Sequence, residues 1–391
     1  MKKPLLISLL GIIVLIFALP FFNLIRWTFQ EKKPLDVLVL NKTVPTLDRI
    51  HHRSLTWILN NDRFVKKENK ASYSYKKDYY GFAPTRPLKE RGNKTNEYHL
   101  SEMIDLPDKT DAIYFADTYG VFFNDWYVGV NKSRRSRKIY GGLNNTDYLL
   151  VNEMKNRNKL IILEYNTLGF PTTEFESYRT QEKLGIKVSG WAGKYFEKLD
   201  TTSKNFPVWM AAMYRKEYGE PWTFTKPGIV FLSDNNILVL EEGTHLTDAR
   251  AYIHTDAENA AKYGLPETVA FDKWFDIIDP LQSNVISSFE LSTTEAGDEL
   301  LEARMLKNSF PAVSCDSTGR AFYFAGDFAN NDVNFCLSRL KGFNGIKGIS
   351  YSDKTGDPRR FFWLYYKPLV KTIFNNYYLS LIHISEPTRP Y

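Results

Sequence analysis

Cysteine is nearly missing from this 391-residue chain: there are two, Cys315 and Cys336, beside six histidines and six methionines. So few thiols exclude a disulfide scaffold and a cysteine-rich metal centre, while one disulfide and two free thiols remain equally compatible with the sequence. Net charge is also small. Lys2, Lys3 and Arg26 precede the first acid, Glu31, and leave 48 basic against 45 acidic residues in the rest of the chain. That balance gives no basis for a nucleic-acid partner. Repeats and low-complexity tracts are absent as well, and a composition of 43% hydrophobic and 25% charged residues supports a sizeable core.

One long apolar run is present. Pro4 to Ile25 (PLLISLLGIIVLIFALPFFNLI) has the length to cross a hydrocarbon core of about 30 Å. It exceeds a secretory h-region of about 7 to 15 residues, and no A-x-A-like cleavage site follows. The expectation is a membrane anchor over residues 1–30, in a single-pass protein of a bacterial-type plasma membrane. Residues 31–378 would then form an extracytoplasmic domain. At the other end, Leu379 to Arg389 (LSLIHISEPTR) resembles a translated sequencing adapter, so residues 379–391 are set aside from any site argument.

Between these ends the pattern alternates. Asp36 to Leu40 is a β-branched run, Leu47 to Phe64 carries helical spacing, and Ala112 to Ala116 and Leu160 to Leu163 read as further buried strands. Helices are expected near 146–156 and 173–184, the second stopped by Gly185. The polar, tyrosine-rich stretch near 66–108 and the irregular one near 246–310 read as insertions, and GIVFLSDNNILVLEEG from Gly228 reads as a β-hairpin. This alternation predicts an α/β fold: a mostly parallel, doubly wound, flavodoxin-like sheet with β-rich insertions, preceded by one transmembrane helix.

The glycine pair Gly141-Gly142 before a helix, with the strand Leu160 to Leu163 entering a tight turn at Glu164, Tyr165 and Asn166, resembles the class I glutamine amidotransferase-like fold. The resemblance covers roughly residues 36–245, with AFYFAGDF (321–328) returning to the same sheet. In that family the turn bears a cysteine within Gly-x-Cys-x-Gly, and the glycine pair helps to bind an oxyanion. Here Glu164 or Tyr165 stands where the cysteine would be, so the resemblance implies a relative without glutaminase activity.

Ligands of open α/β sheets gather at the carboxyl ends of the strands. Asn41, Lys42, Asp117, Thr118, Glu164, Asn166 and Asp327 fall there. Asp117 and Glu164 are the candidate catalytic pair, since two carboxylates with separated pKa values can work as acid and base; capping of the following helices is the plainer role for such residues. Gly141, Gly142, Tyr165, Asn166, Trp191 and Asp327 are the candidate ligand-binding residues, with Trp191 in GWAGKYF suited to stacking on a sugar. Glu241, Glu242 and His245 lack a convincing metal-ligand spacing, and His51 and His52, adjacent on a helix, point to different faces. Neither a metal nor another cofactor is expected. The basic run Lys132 to Lys138 can meet an acidic partner or simply be solvated, and the basic, aromatic stretch Arg359 to Tyr378 fits an interfacial segment or a helix closing over the sheet. The first functional reading is a non-catalytic, ligand-binding envelope domain, with a carbohydrate or an envelope protein as partner. The alternatives are a carboxylate-dependent hydrolase of envelope carbohydrate and a scaffold for polysaccharide assembly.

Overall fold

The computed structural model describes residue 11 and residues 18–85, 88–128, 136–203, 206–342, 345–348 and 350–385. Its centre is a ten-stranded sheet in the order Thr268–Phe271, Leu246–His254, Asn284–Thr293, Ser309–Cys315, Ala321–Phe324, Leu160–Glu164, Ala112–Asp117, Val37–Asn41, Tyr80–Pro84 and Asn93–Asn96. The five strands from Ala321–Phe324 to Tyr80–Pro84 run parallel. All other neighbours pair antiparallel. The sheet is therefore mixed rather than mostly parallel. The difference lies in the 246–310 segment, expected as an insertion, whose long strands pair sideways onto the sheet instead of looping away from it. The 66–108 stretch likewise supplies an antiparallel hairpin at the opposite edge.

Hydrophobicity explains the parallel core. Every residue of Val37–Asn41, Ala112–Asp117, Leu160–Glu164 and Ala321–Phe324 is buried, as expected of strands covered on both faces. The helix Ile50–Asn61 and the closing helical segment that ends in Lys367–Ser385 form one covering layer, and Asn145–Asn156 with Glu174–Leu184 the other. Local signals set the helix ends. Asn144 and Asp147 form a capping box at the start of Asn145–Asn156, and Gly185 ends Glu174–Leu184 at φ 68°.

A second sheet, in the order Asn236–Glu241, Gly228–Ser233, Ile186–Phe196 and Trp274–Pro280, contains the expected hairpin. It abuts the carboxyl end of the parallel core. Phe275 bridges Gly326, the Asp276 amide donates to the Ala325 carbonyl at 2.7 Å, and the Asp327 amide donates to the Trp274 carbonyl at 3.0 Å. This junction shapes the site.

The amino-terminal expectation is overturned. Among the described residues no helix is long and apolar enough to cross a membrane, so the transmembrane helix, and with it the single-pass plasma-membrane location, is not supported. Residues 4–10 and 12–17 of the expected span lie outside the described residues. The described part, a helix over residues 18–29, docks onto the domain. Trp27 is buried, donates from Nε1 to the Asn60 carbonyl at 2.8 Å and lies 4.2 Å beneath the Arg63 guanidinium. Lys132, Arg134 and Arg135 of the basic run, and residues 386–391 of the tail, also lie outside the described residues, whereas residues 379–385 continue the closing helix. Cys315 and Cys336 are both free thiols, the first buried and the second exposed.

Candidate functional site

Four parallel strands deliver polar residues to one edge. Val37–Asn41 leads into Lys42 and Thr43, Ala112–Asp117 ends in a carboxylate, Leu160–Glu164 turns through Tyr165 and Asn166, and Ala321–Phe324 is followed by Asp327. His51, in the first turn of Ile50–Asn61, faces this edge. Its Nδ1 lies 3.6 Å from Asp117 Oδ2 and 3.6 Å from Asp327 Oδ1. Both distances are ion-pair contacts, longer than hydrogen bonds, and Nδ1 is a buried atom without a hydrogen-bond partner. Because one nitrogen touches both, the two carboxylate oxygens lie no further apart than twice that distance.

Each carboxylate is held differently. Asp117 Oδ1 accepts from Thr43 Oγ1 and from the Tyr119 amide, both at 2.7 Å, while Asp327 Oδ2 accepts from Asn330 Nδ2 at 2.7 Å. Burial pushes the Asp117 carboxyl up to about 6, against the pull of His51 and with Asp327 adding to the rise. Burial pushes Asp327 up too, but the His51 contact and the Lys273 charge outweigh it and leave its pKa below the ordinary value. For His51, burial disfavours the cation, yet Asp327 and Asp117 prevail and raise the imidazole to about 9. Two carboxylates of unequal acidity thus flank one imidazolium.

The second sheet closes the site from the side. Asp276 accepts from Tyr323 Oη at 2.5 Å, and burial lifts its pKa to about 7. Lys273 donates to Asn331 Oδ1 at 2.7 Å, with its pKa lowered by burial against the pull of Asp327. Trp274 stacks on Tyr165 at 6.5 Å and 10°. Beyond Asp117, Tyr119, Phe122 and Phe170 form an aromatic patch, with Phe170 47% exposed.

Asp117 and Asp327 are brought together, but Glu164 does not join them. It is fully buried, accepting from Tyr114 Oη and, at 3.0 Å, from the Ala329 amide. Tyr114 Oη lies 2.8 Å from Tyr366 Oη on the closing helix. Burial holds the Glu164 carboxyl well above its ordinary value. This is an interior polar network without solvent access, and of the expected pair Asp117 and Glu164 it is Asp117 that shares the His51 contact with Asp327.

Gly141 and Gly142 have positive φ and serve close backbone approach. A Cβ on Gly141 would meet the Gly120 Cα at 2.5 Å, and one on Gly142 the Pro171 carbonyl at 2.8 Å. The Gly142 amide already donates to the Thr118 carbonyl at 2.7 Å. Tyr165 is buried at the edge, and Asn166, at φ 66°, turns the chain there. Trp191 sits on the second sheet at the bulge of Ile186–Phe196, half-buried, with Arg304 5.9 Å from its ring, and is not part of the cluster. Glu241 and His245 fix their own loop: Glu241 Oε1 accepts from the Thr225 amide, and His245 Nδ1 accepts from the Glu241 amide. Among the described residues, no group of three or more His, Cys, Asp or Glu is arranged to hold a metal ion.

His51, Asp276 and Lys273 carry no motif. Adjacent histidines do diverge as the helix requires, His52 being buried between Asn41 Nδ2 and the Tyr75 carbonyl, both at 2.7 Å. What that rule leaves open is which surface the other one meets.

No family model and no curated protein matches the chain. Among solved structures, it is similar to a ThuA-like protein from Bacteroides uniformis ATCC 8492, at 10% identity over 84% of this chain and 97% of that one, with a TM-score of 0.36. It is also similar to the beta-galactosidase from Bacillus circulans sp. alkalophilus, at 10% identity over 79% of this chain and 32% of that one, with a TM-score of 0.31. Likenesses at these scores carry no argument about activity, and the site has to be read from its own geometry.

Proposed function

We propose that this protein acts on carbohydrate as a carboxylate-dependent hydrolase. The observation that carries the reading is the unbonded His51 nitrogen midway between two carboxylates whose acidities are pushed apart. Asp117 in its protonated form donates to the leaving glycosidic oxygen. Asp327, kept ionised by His51, takes the proton of the attacking water, so one water is consumed per bond broken. The aromatic patch of Tyr119, Phe122 and Phe170 offers apolar surface to a sugar ring.

Turnover is tested by screening the full chain on a panel of aryl glycosides and oligosaccharides. Activity should fall as pH rises through about 6, where Asp117 loses its proton, and Asp117→Asn and Asp327→Asn should each abolish it in a folded protein. Turnover that survives either change refutes the assignment. A second reading, carbohydrate binding without hydrolysis, is favoured by the burial of Asp117 and Asp327, which are only 3% and 7% exposed. It predicts saturable oligosaccharide binding, weakened by the same two substitutions, with no product formed.

A further inference from the structure

At the far end of the helix that carries His51, the chain gathers positive charge. Asp62 directly follows Ile50–Asn61, about 16 Å along the helix axis from His51. Lys341 Nζ lies 3.2 Å from Asp62 Oδ1, and Lys371 Nζ lies 3.7 Å from the same oxygen. Lys33, which feels Asp62, Lys341 and Lys371, donates to Asn375 Oδ1 at 2.5 Å. Lys367 is the fourth. Its Nζ stands 4.7 Å from the Trp363 ring and 5.4 Å from the Trp57 ring, and among the described residues no hydrogen bond or ion pair holds it.

Two of these amines contact Asp62 directly, while Lys33 and Lys367 feel its charge, Lys33 with Glu31 nearby as well. A helix C-terminus attracts cations, and Lys341 does reach the Asn61 carbonyl at 3.5 Å, but this accounts for one lysine rather than four. Mutual repulsion and the desolvation of Lys367 are costs that an arriving anion offsets. We propose that Lys341, Lys367 and Lys371 form a binding site for a small, doubly charged oxyanion, a sulfate or phosphoryl group, separate from the His51 cluster. Burial lowers Lys367 to about 7, with Asp62 opposing and Lys371 and Lys341 adding to the fall. Anion binding draws a proton onto this amine, so affinity strengthens as pH falls through neutrality.

The test titrates the full chain by calorimetry with sodium sulfate, whose charge is constant in this range, and with glycerol 2-phosphate as an ester, at pH values on either side of 7. Wild type should bind saturably and more tightly at the lower pH. Lys367→Met and Lys371→Gln should each weaken binding by about tenfold, the loss of one charge-assisted contact, and Lys367→Met should flatten the pH dependence. Tighter binding of the ester assigns the site to phosphate esters, and tighter sulfate assigns it to free anions. The absence of saturable binding of either probe, or unchanged affinity in both variants, overturns the proposal. Circular dichroism verifies folding, and Lys371→Gln carries the comparison should Lys367→Met not fold.

Discussion

Asp117 and Glu164 end neighbouring parallel strands and look equivalent along the chain, yet one joins the His51 cluster at the sheet edge and the other is sealed in an interior tyrosine network. A bulge and the covering side chains separate them. Phe115 pairs with Leu163, so Tyr114 and Glu164 share the face covered by the closing helix, where Tyr366 waits. Asp117 lies past a bulge at Ala116, where Leu40 pairs with Phe115 but Asn41 with Asp117, and at the strand's end it reaches Thr43, Tyr119 and His51 instead. Two strand-end carboxylates thus part ways through one bulge and through the side chains that cover each of them.

The largest effect that tests this contrast is Glu164→Ala. It strands the Ala329 amide, leaves the Tyr114 hydroxyl with Tyr366 alone, opens a buried cavity, and should cost about 3 kcal/mol in urea unfolding. Glu164→Gln, which keeps the shape of a neutral carboxyl, should cost less than about 1 kcal/mol; a similar loss in both variants would break the contrast. Gly142→Ala comes next, at about 2 kcal/mol, because φ is 84° there and the new Cβ would meet the Pro171 carbonyl.

Stability against pH sharpens the Asp117 side. Its folded value of about 6 exceeds the ordinary 3.8, so the folded state holds the proton more tightly than the unfolded chain does. That contribution is complete below pH 3.8 and is lost as pH rises to about 6. Asp117→Asn should remove this decline from a series of denaturation midpoints, and an unaltered slope would show that Asp117 ionises as freely as in the unfolded chain. His51, raised to about 9, adds stability that is full below 6.5 and lost through about 9. The smallest effect is that of Phe170→Ala. Stability should stay within about 0.5 kcal/mol, while oligosaccharide affinity should fall several-fold if the aromatic patch contacts sugar.

Much of the architecture was legible. The runs around Val37–Asn41, Ala112–Asp117, Leu160–Glu164 and Ala321–Phe324 announced buried strands, Gly185 announced a helix end, and Asp234, at φ 31°, announced the hairpin turn. The apolar amino-terminal run was read as a membrane span, whereas the described helix over residues 18–29 docks on the domain, with Trp27 packed under Arg63. Asp117 and Asp327 were legible as strand-end acids. Their partner His51 was not, because a histidine within a helical pattern gives no sign of what its face will meet.

Taken alone, the chain determined which segments become buried strands and where their polar ends fall, because hydrophobic runs and turn residues act over a few neighbours. Only the tertiary structure decided that the strands from 246 to 315 extend the sheet antiparallel, that Glu164 turns inward, and that His51 joins Asp117 to Asp327. Those outcomes rest on register and on contacts between residues far apart in sequence, such as the 3.6 Å approach of His51 to Asp327, which no local pattern encodes.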